Sequence, residues 1–246
     1  MHKDLFSAHA KDYATFRPAY PQGLYDFIFQ YVERFDKAWD CGTGNGQVAR
    51  SLAAKFQEVH GSDISAAQLR NAWPAKNIQY HQFPAEQSTF ADNTFDLVAV
   101  GQAIHWFDID KFYVEVKRVA KPGAAVAMFG YNLVRFNSAF NELLDQFYRE
   151  VIYSYWETER KLVDSQYQTL SFPFKEIDAP DFKMPLSWSL QDLHGYITTW
   201  SAVQKFIRQN GVSPVDDFIK KVEPLWKHHR ESVYFPVFLR LGKVTK

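Results

Sequence analysis

The chain has 246 residues, 46% of them hydrophobic and 17% aromatic, so a packed globular core is expected, not a disordered chain. Its 28 Lys plus Arg equal its 28 Asp plus Glu, so it carries no electrostatic footprint for nucleic acid or an anionic membrane, and neither partner is expected. A single cysteine, Cys41, excludes an intramolecular disulfide and a cysteine-cluster metal site, and no metal is expected.

The opening MHKDLFSAHAKDYATF lacks the apolar core of a signal peptide, and no apolar run reaches the roughly 18 residues of a membrane span. A soluble cytoplasmic protein is the expectation. YPQGLYDFIFQYVERF then shows apolar residues at helical spacing, with Pro21 suited to a helix start. KAWDC reads as a first strand, GQVARSLAAKF as a helix, EVHGSD as a second strand, and SAAQLRNAW as a helix capped by Ser65. IQYHQF is a third strand. TFDLVAVGQA is nearly all apolar, as a central parallel strand should be. DIDKFYVEVKRVA is a helix closed by KPG, and AAVAMFGYN is a fifth strand. This alternation predicts an α/β fold with an open, doubly wound parallel sheet.

Beyond about residue 135 the rhythm changes. SAFNELLDQFYREVIYSYWETERKLV reads as one long helix, QDLHGYITTWSAVQKFIRQ and PVDDFIKKVEPLWKHHR as two more, FKMPLSWSL as a strand, and SVYFPVFLRLG as a last strand. The expected organisation is a single domain: a core over 1–135, a mostly helical cap with one strand over 136–230, and a final strand over 231–246 that returns to the sheet. The cap's aromatic run, Tyr148, Tyr153, Tyr155 and Trp156, is read as packing.

The chemistry concentrates after the first strand. Asp40, Gly42, Gly44 and Gly46 form D-x-G-x-G-x-G where open α/β sheets bind ligands. A dinucleotide fingerprint fails, because its third small position falls on Gln47. A phosphate loop fails for want of a Gly-Lys-Ser/Thr. An acidic residue entering the loop would repel a pyrophosphate and suits a ligand with a positive ammonium. Asp63 ends the second strand roughly 20 residues on, where a carboxylate can grip both ribose hydroxyls. Together these features favour a nucleoside with a cationic arm.

WDCGTGNGQ and GSDIS resemble the first two motifs of class I S-adenosylmethionine-dependent methyltransferases, and FPAEQSTFADNTFDLVAVGQAIHWFD resembles the stretch over their third and fourth strands. FSAHAKDYATFRPAYP is similar to an N-terminal lid of that family. The resemblance covers residues 6–130. QAIHWFD, GYITTWSAVQKF and VYFPVFLRLGKV are similar to segments of small-molecule members of the type 11 group, which includes trans-aconitate methyltransferases. The resemblance implies a Rossmann-like methyltransferase sheet with a helical cap, and S-adenosyl-L-methionine as cofactor. It implies cofactor contacts from Tyr13, Arg17, Asp40, Gly42, Thr43, Gly44, Gln47, Asp63, Ile64, Ala85, Glu86 and Gln102. Within that set, Arg17 pairs with the methionine carboxylate and Glu86 accepts from the adenine amine.

Methyl transfer from a sulfonium is a direct displacement, so orientation supplies most of the catalysis, on the order of 7–11 kcal/mol for well-placed reactants. His105 and Trp106 follow the fourth strand, where an acceptor should meet the methyl, and Trp200 in the cap is a further substrate-facing candidate. His105 is the candidate catalytic residue. Two roles are open to it: a general base for a hydroxyl, titrating near the ordinary pKa of about 6.5, or a donor that orients a carboxylate. The [DN]-P-P-[YF] signature of base methylation is absent, and an aromatic cap suggests a small enclosed acceptor. The leading expectation is methylation of a small molecule, with a carboxylate slightly favoured. Methylation of a protein or RNA partner, or a non-catalytic cofactor-binding module, are the alternatives. Oligomeric state is not legible in the sequence.

Overall fold

A computed structural model describes residues 19–246, so Tyr13 and Arg17 lie outside the described residues. The first half alternates as expected. Helix α1 (Gln22–Phe29) precedes β1 (Lys37–Cys41), α2 (Gln47–Ala53), β2 (Glu58–Asp63), α3 (Ala66–Arg70) and β3 (Ile78–Gln82). Then come β4 (Phe95–Gly101), a 3-10 turn at Ile104–Trp106, α4 (Ile109–Val119) and β5 (Ala120–Tyr131). Ser65 caps α3 through a bond from the Gln68 N–H, and Asp108 caps α4 through the Lys111 N–H.

The strands β1 to β5 pair in parallel in the order β3-β2-β1-β4-β5. The last strand, β8 (Glu231–Lys243), does return to the sheet, antiparallel to β5 from Tyr131↔Val237 to Ala125↔Lys243. The fold is the expected doubly wound sheet with this antiparallel strand added. Both faces are buried, which explains why β4 is apolar apart from Asp96, whose carboxylate accepts from the Lys37 N–H and pairs with Lys121. Leu97 and Ala99 join one core with Leu24, Ile28 and Leu52, while Val98 and Val100 join the other with Trp39, Phe112 and Val116. Burying one such large apolar side chain stabilises by roughly 1.5–3 kcal/mol.

The second half departs from the reading in detail. The segment expected as one long helix is broken into α5 (Ser138–Gln146), a π-helical stretch (Phe147–Ile152), a 3-10 turn (Tyr153–Tyr155) and α6 (Arg160–Asp164). Phe147, Tyr148 and Ile152 are buried within this π-helical stretch. The next expected helix is two, α7 (Leu190–Thr198) and α8 (Ser201–Asn210). The Thr198 and Thr199 hydroxyls donate back to the carbonyls of His194 and Tyr196, and the backbone turns extended at the buried Trp200. Helix α9 (Val215–Val222) stops short of Pro224, which has no N–H to continue it. Two strands lie in this region, β6 (Lys175–Ile177) and β7 (Phe182–Trp188), both antiparallel to β8. With three residues, β6 is too short to show an alternating pattern. Among the described residues no helix is long and apolar enough to cross a membrane.

Candidate active site

The chain reverses between β1 and β4 at the centre of the sheet, and a cavity of about 340 Å³ opens there, beyond the carboxyl ends of the strands. The three loop glycines divide their work. All have positive φ, at +73°, +55° and +82° for Gly42, Gly44 and Gly46. A Cβ on Gly42 would stand 2.6 Å from the Cβ of Ala103, and one on Gly46 would strike the Tyr80 hydroxyl. Those two glycines let chain pack on chain. A Cβ on Gly44 would meet no atom within 4 Å and would project into open space at the cavity wall. Gly44 is thus the loop glycine whose backbone is open to the cavity.

Two carboxylates shape the loop. Asp40 is buried and accepts at Oδ2 from the Thr43 hydroxyl (2.5 Å) and the Ala49 N–H (2.8 Å). Its Oδ1 has no partner among the described residues. Burial pushes its pKa up to about 7, against the pull of those two hydrogen bonds. Asp63 accepts from the Gly44 N–H (2.9 Å) and the Ser65 N–H (2.8 Å), clamping the glycine loop to the end of β2.

The other residues singled out in the sequence can now be placed. Gly42, Thr43, Gly44, Gln47, Asp63, Ile64, Ala85, Glu86, Gln102 and Trp106 all line this cavity. Asp40 lies behind the wall, not on it. Glu86 accepts from the Asp108 N–H (2.7 Å), tying the β3 exit to the start of α4. Gln102 sits at φ +53° and clips its side-chain oxygen to the Tyr131 N–H at 2.9 Å, so its amide braces β5. Gln68, Phe83, Glu157 and Glu159 also line the cavity and escaped the sequence reading. The two glutamates lie in a stretch whose aromatics drew attention to packing.

Charge is segregated. The first cavity is lined by Asp63, Glu86, Glu157 and Glu159, with no lysine or arginine among the described residues. That lining repels a pyrophosphate and suits a cation. A second cavity of about 150 Å³ adjoins it, and Gln102, Trp106, Tyr131 and Glu157 line both. Arg160, Lys205 and Arg208 line the second cavity only.

His105 and Trp200 belong to the second cavity. Nδ1 of His105 lies 2.9 Å from the Tyr167 hydroxyl. Tyr167 is fully buried and its hydroxyl has no other acceptor, so leaving its proton unpaired would carry the full cost of an orphaned buried donor. The O–H therefore donates to Nδ1, and the ring proton resides on Nε2. Burial, reinforced by the nearby Arg160 charge, pushes the His105 pKa down to about 3. The expectation of a titration near 6.5 is corrected accordingly: the imidazole is neutral throughout the physiological range. Trp200 is 3% exposed and packs among Tyr148, Trp156 and Tyr196, so most of its surface belongs to the core.

This arrangement has relatives. The family model described as a methyltransferase domain matches residues 39–128. A Dictyostelium discoideum protein bearing the methyltransferase name is 32% identical, over 98% of this chain and 95% of its own. The chain belongs to the S-adenosylmethionine-dependent methyltransferases. A Saccharomyces cerevisiae protein named for that dependence is 23% identical to the enzyme, across 96% of this chain and 93% of its own. A solved structure from Anaeromyxobacter dehalogenans, named as a type II methyltransferase, superposes on the enzyme with a TM-score of 0.88 at 34% identity. It covers 94% of this chain and 99% of that one. The enzyme's cofactor, a sulfonium with an ammonium arm, is the kind of ligand the acidic lining suits.

Proposed function

We propose that the enzyme methylates a small molecule seated in the second cavity, on an oxygen that is already ionised. The observation that carries this reading is the junction of the cavities. An acidic chamber adjoins an aromatic one that carries Arg160, Lys205 and Arg208. The two share Gln102, Trp106, Tyr131 and Glu157, whose carboxylate is paired with Lys205 at 3.5 Å, so a cationic methyl donor and an anionic acceptor would meet at that wall. A cavity of about 150 Å³ suits a small acceptor and not a folded protein or RNA surface.

In this reading Gly44 gives the cofactor backbone clearance, Asp63 faces the ribose, and Glu86 offers its second oxygen to the adenine amine. Thr43, Gln47, Ile64, Ala85 and Gly42 complete the wall, with Asp40 acting from behind it. Gln102 and Trp106 shape the wall where methyl and acceptor meet, and Trp200 supports the acceptor chamber. Tyr13 and Arg17 are proposed cofactor contacts from the family resemblance alone. The cofactor supplies an activated methyl on a sulfonium.

His105 presents Nε2–H as a donor and orients the acceptor, because its lone pair at Nδ1 is occupied by Tyr167. A carboxylate meets these terms. Its oxygen lone pair forms the new O–C bond as the C–S bond breaks, and the electron pair of that bond stays on sulfur. No proton has to leave, so no general base is required. Orientation in a closed chamber is then the main catalytic contribution. The test is methyl transfer from labelled cofactor across carboxylic acids, phenols and amines. Base-labile methyl esters from acids are expected. Turnover confined to amines or macromolecules would refute the reading.

A further inference from the structure

Arg160 is a partly buried arginine of whose five N–H donors only the one at Nε is engaged among the described residues. Its side chain is 17% exposed and stacks over the Trp156 ring, with the guanidinium carbon 4.7 Å from the ring centre. Its Nε donates to the Tyr148 hydroxyl at 2.9 Å and to Asp164 at 3.1 Å. Tyr148 donates in turn to Asp164, so the stem of the guanidinium is fixed in place. The two Nη groups have no partner among the described residues, and Arg160 lines the second cavity. Two other polar atoms from that cavity's lining residues, Asn132 Oδ1 and Trp156 Nε1, are also without partners.

We propose that the Nη pair of Arg160 is a carboxylate-binding fork that anchors a non-reacting carboxylate of the methyl acceptor. Arg160 is not on the wall shared by the two cavities, so an anion held there lies away from the transferring methyl. The acceptor is accordingly an acid with a carboxylate in addition to the oxygen that reacts. A planar guanidinium fixed at Nε presents parallel N–H groups that match a carboxylate bidentately, and Arg208 lines the same cavity, while Lys205 is paired with Glu157 at 3.5 Å.

The inference rests on the small-molecule reading above, and its failure is separable from failure of that reading. Calorimetry with S-adenosylhomocysteine first establishes that the protein is folded and binds at the cofactor site. In that complex, dicarboxylic and carboxyphenolic compounds are compared with their monoamides and with matched phosphomonoesters, for binding and for methyl transfer. The expected result is a preference for the free acid of roughly 10- to 100-fold, the range of a hydrogen-bonded charge. Arg160→Gln should abolish that preference, with KM rising more than kcat falls and S-adenosylhomocysteine affinity unchanged. Arg160→Lys, which keeps charge but not the fork, should restore part of it. If the variants do not fold, the acid-to-amide comparison on the wild-type protein still decides. Equal use of acids and monoamides, preference for phosphomonoesters, or no acid bound or methylated by protein that binds S-adenosylhomocysteine would overturn the proposal.

Discussion

The Tyr167 hydroxyl and Nδ1 of His105 are 2.9 Å apart, although 62 residues separate them in the chain. Tyr167 adopts a positive φ of +61°, next to Gln166 at +55°, a conformation that non-glycine residues hold only when their surroundings impose it. Arg240 donates to the Tyr167 carbonyl at 2.9 Å and ties the turn to β8. The imidazole is therefore held by a rigid buried group, and its tautomer is a consequence of tertiary packing.

That tautomer is directly measurable. Nitrogen-15 NMR of the wild-type protein should show His105 protonated at Nε2 only, with no titration between pH 5 and 8. Tyr167→Phe should release Nδ1 and produce a mixture of tautomers. The folded pKa of His105 is depressed to about 3, so its contribution to stability is complete above the unfolded value of about 6.5 and is lost as pH falls toward 3. Methyl transfer to a carboxylate should accordingly show no loss of rate near pH 6.5. A titration at that pH would restore the general-base role.

The glycines give a contrast within one loop. Gly44→Val should leave the protein folded, at a cost of roughly 1–2 kcal/mol for a left-handed L-residue. It should weaken S-adenosylhomocysteine binding by about 100-fold or more, equivalent to about 2.7 kcal/mol. Gly42→Ala should act mainly on stability, because its Cβ would lie 2.6 Å from that of Ala103. Thermal melts and calorimetry on both variants separate the two effects. Normal binding by Gly44→Val would reduce Gly44 to a turn residue.

Asp40 makes stability depend on pH in the opposite sense from an ordinary paired carboxylate. Its folded pKa of about 7 lies above the ordinary value of 3.8, so the folded state binds the extra proton between them. The associated stability is present below pH 4 and is lost as pH rises through 7. At about 1.4 kcal/mol per pH unit, the loss is at most about 4 kcal/mol. Asp40→Asn should flatten this component in denaturant melts taken between pH 4 and 8. An unchanged slope would mean that Asp40 ionises normally in its buried site.

The two tryptophans should separate by phenotype. Trp200→Ala removes a buried ring from an aromatic cluster and should destabilise by about 3–5 kcal/mol. Trp106 is partly exposed on the wall between the cavities, so Trp106→Ala should mainly raise the acceptor KM and leave the melting temperature close to wild type. The reverse pattern would move the acceptor chamber toward Trp200.

What the sequence alone determined is local. The D-x-G-x-G-x-G loop, the Asp63 strand end and the central apolar strand are legible because one βαβ unit sets their spacing and the sheet's two buried faces set their composition. The strand returning from the C-terminus was legible as an apolar run, although its antiparallel register was not. Tertiary structure decided which glycine is open to the cavity, since Gly42 and Gly46 differ from Gly44 in what packs against them. It also decided that Arg160 lines the second cavity and that Tyr167 reaches His105. The physical reason is the break-up of the aromatic segment after Gln146, where a π-helical stretch and two short turns replace one helix. Helical periodicity, read along the chain, cannot register a change of pitch that is imposed by the rings packed against it.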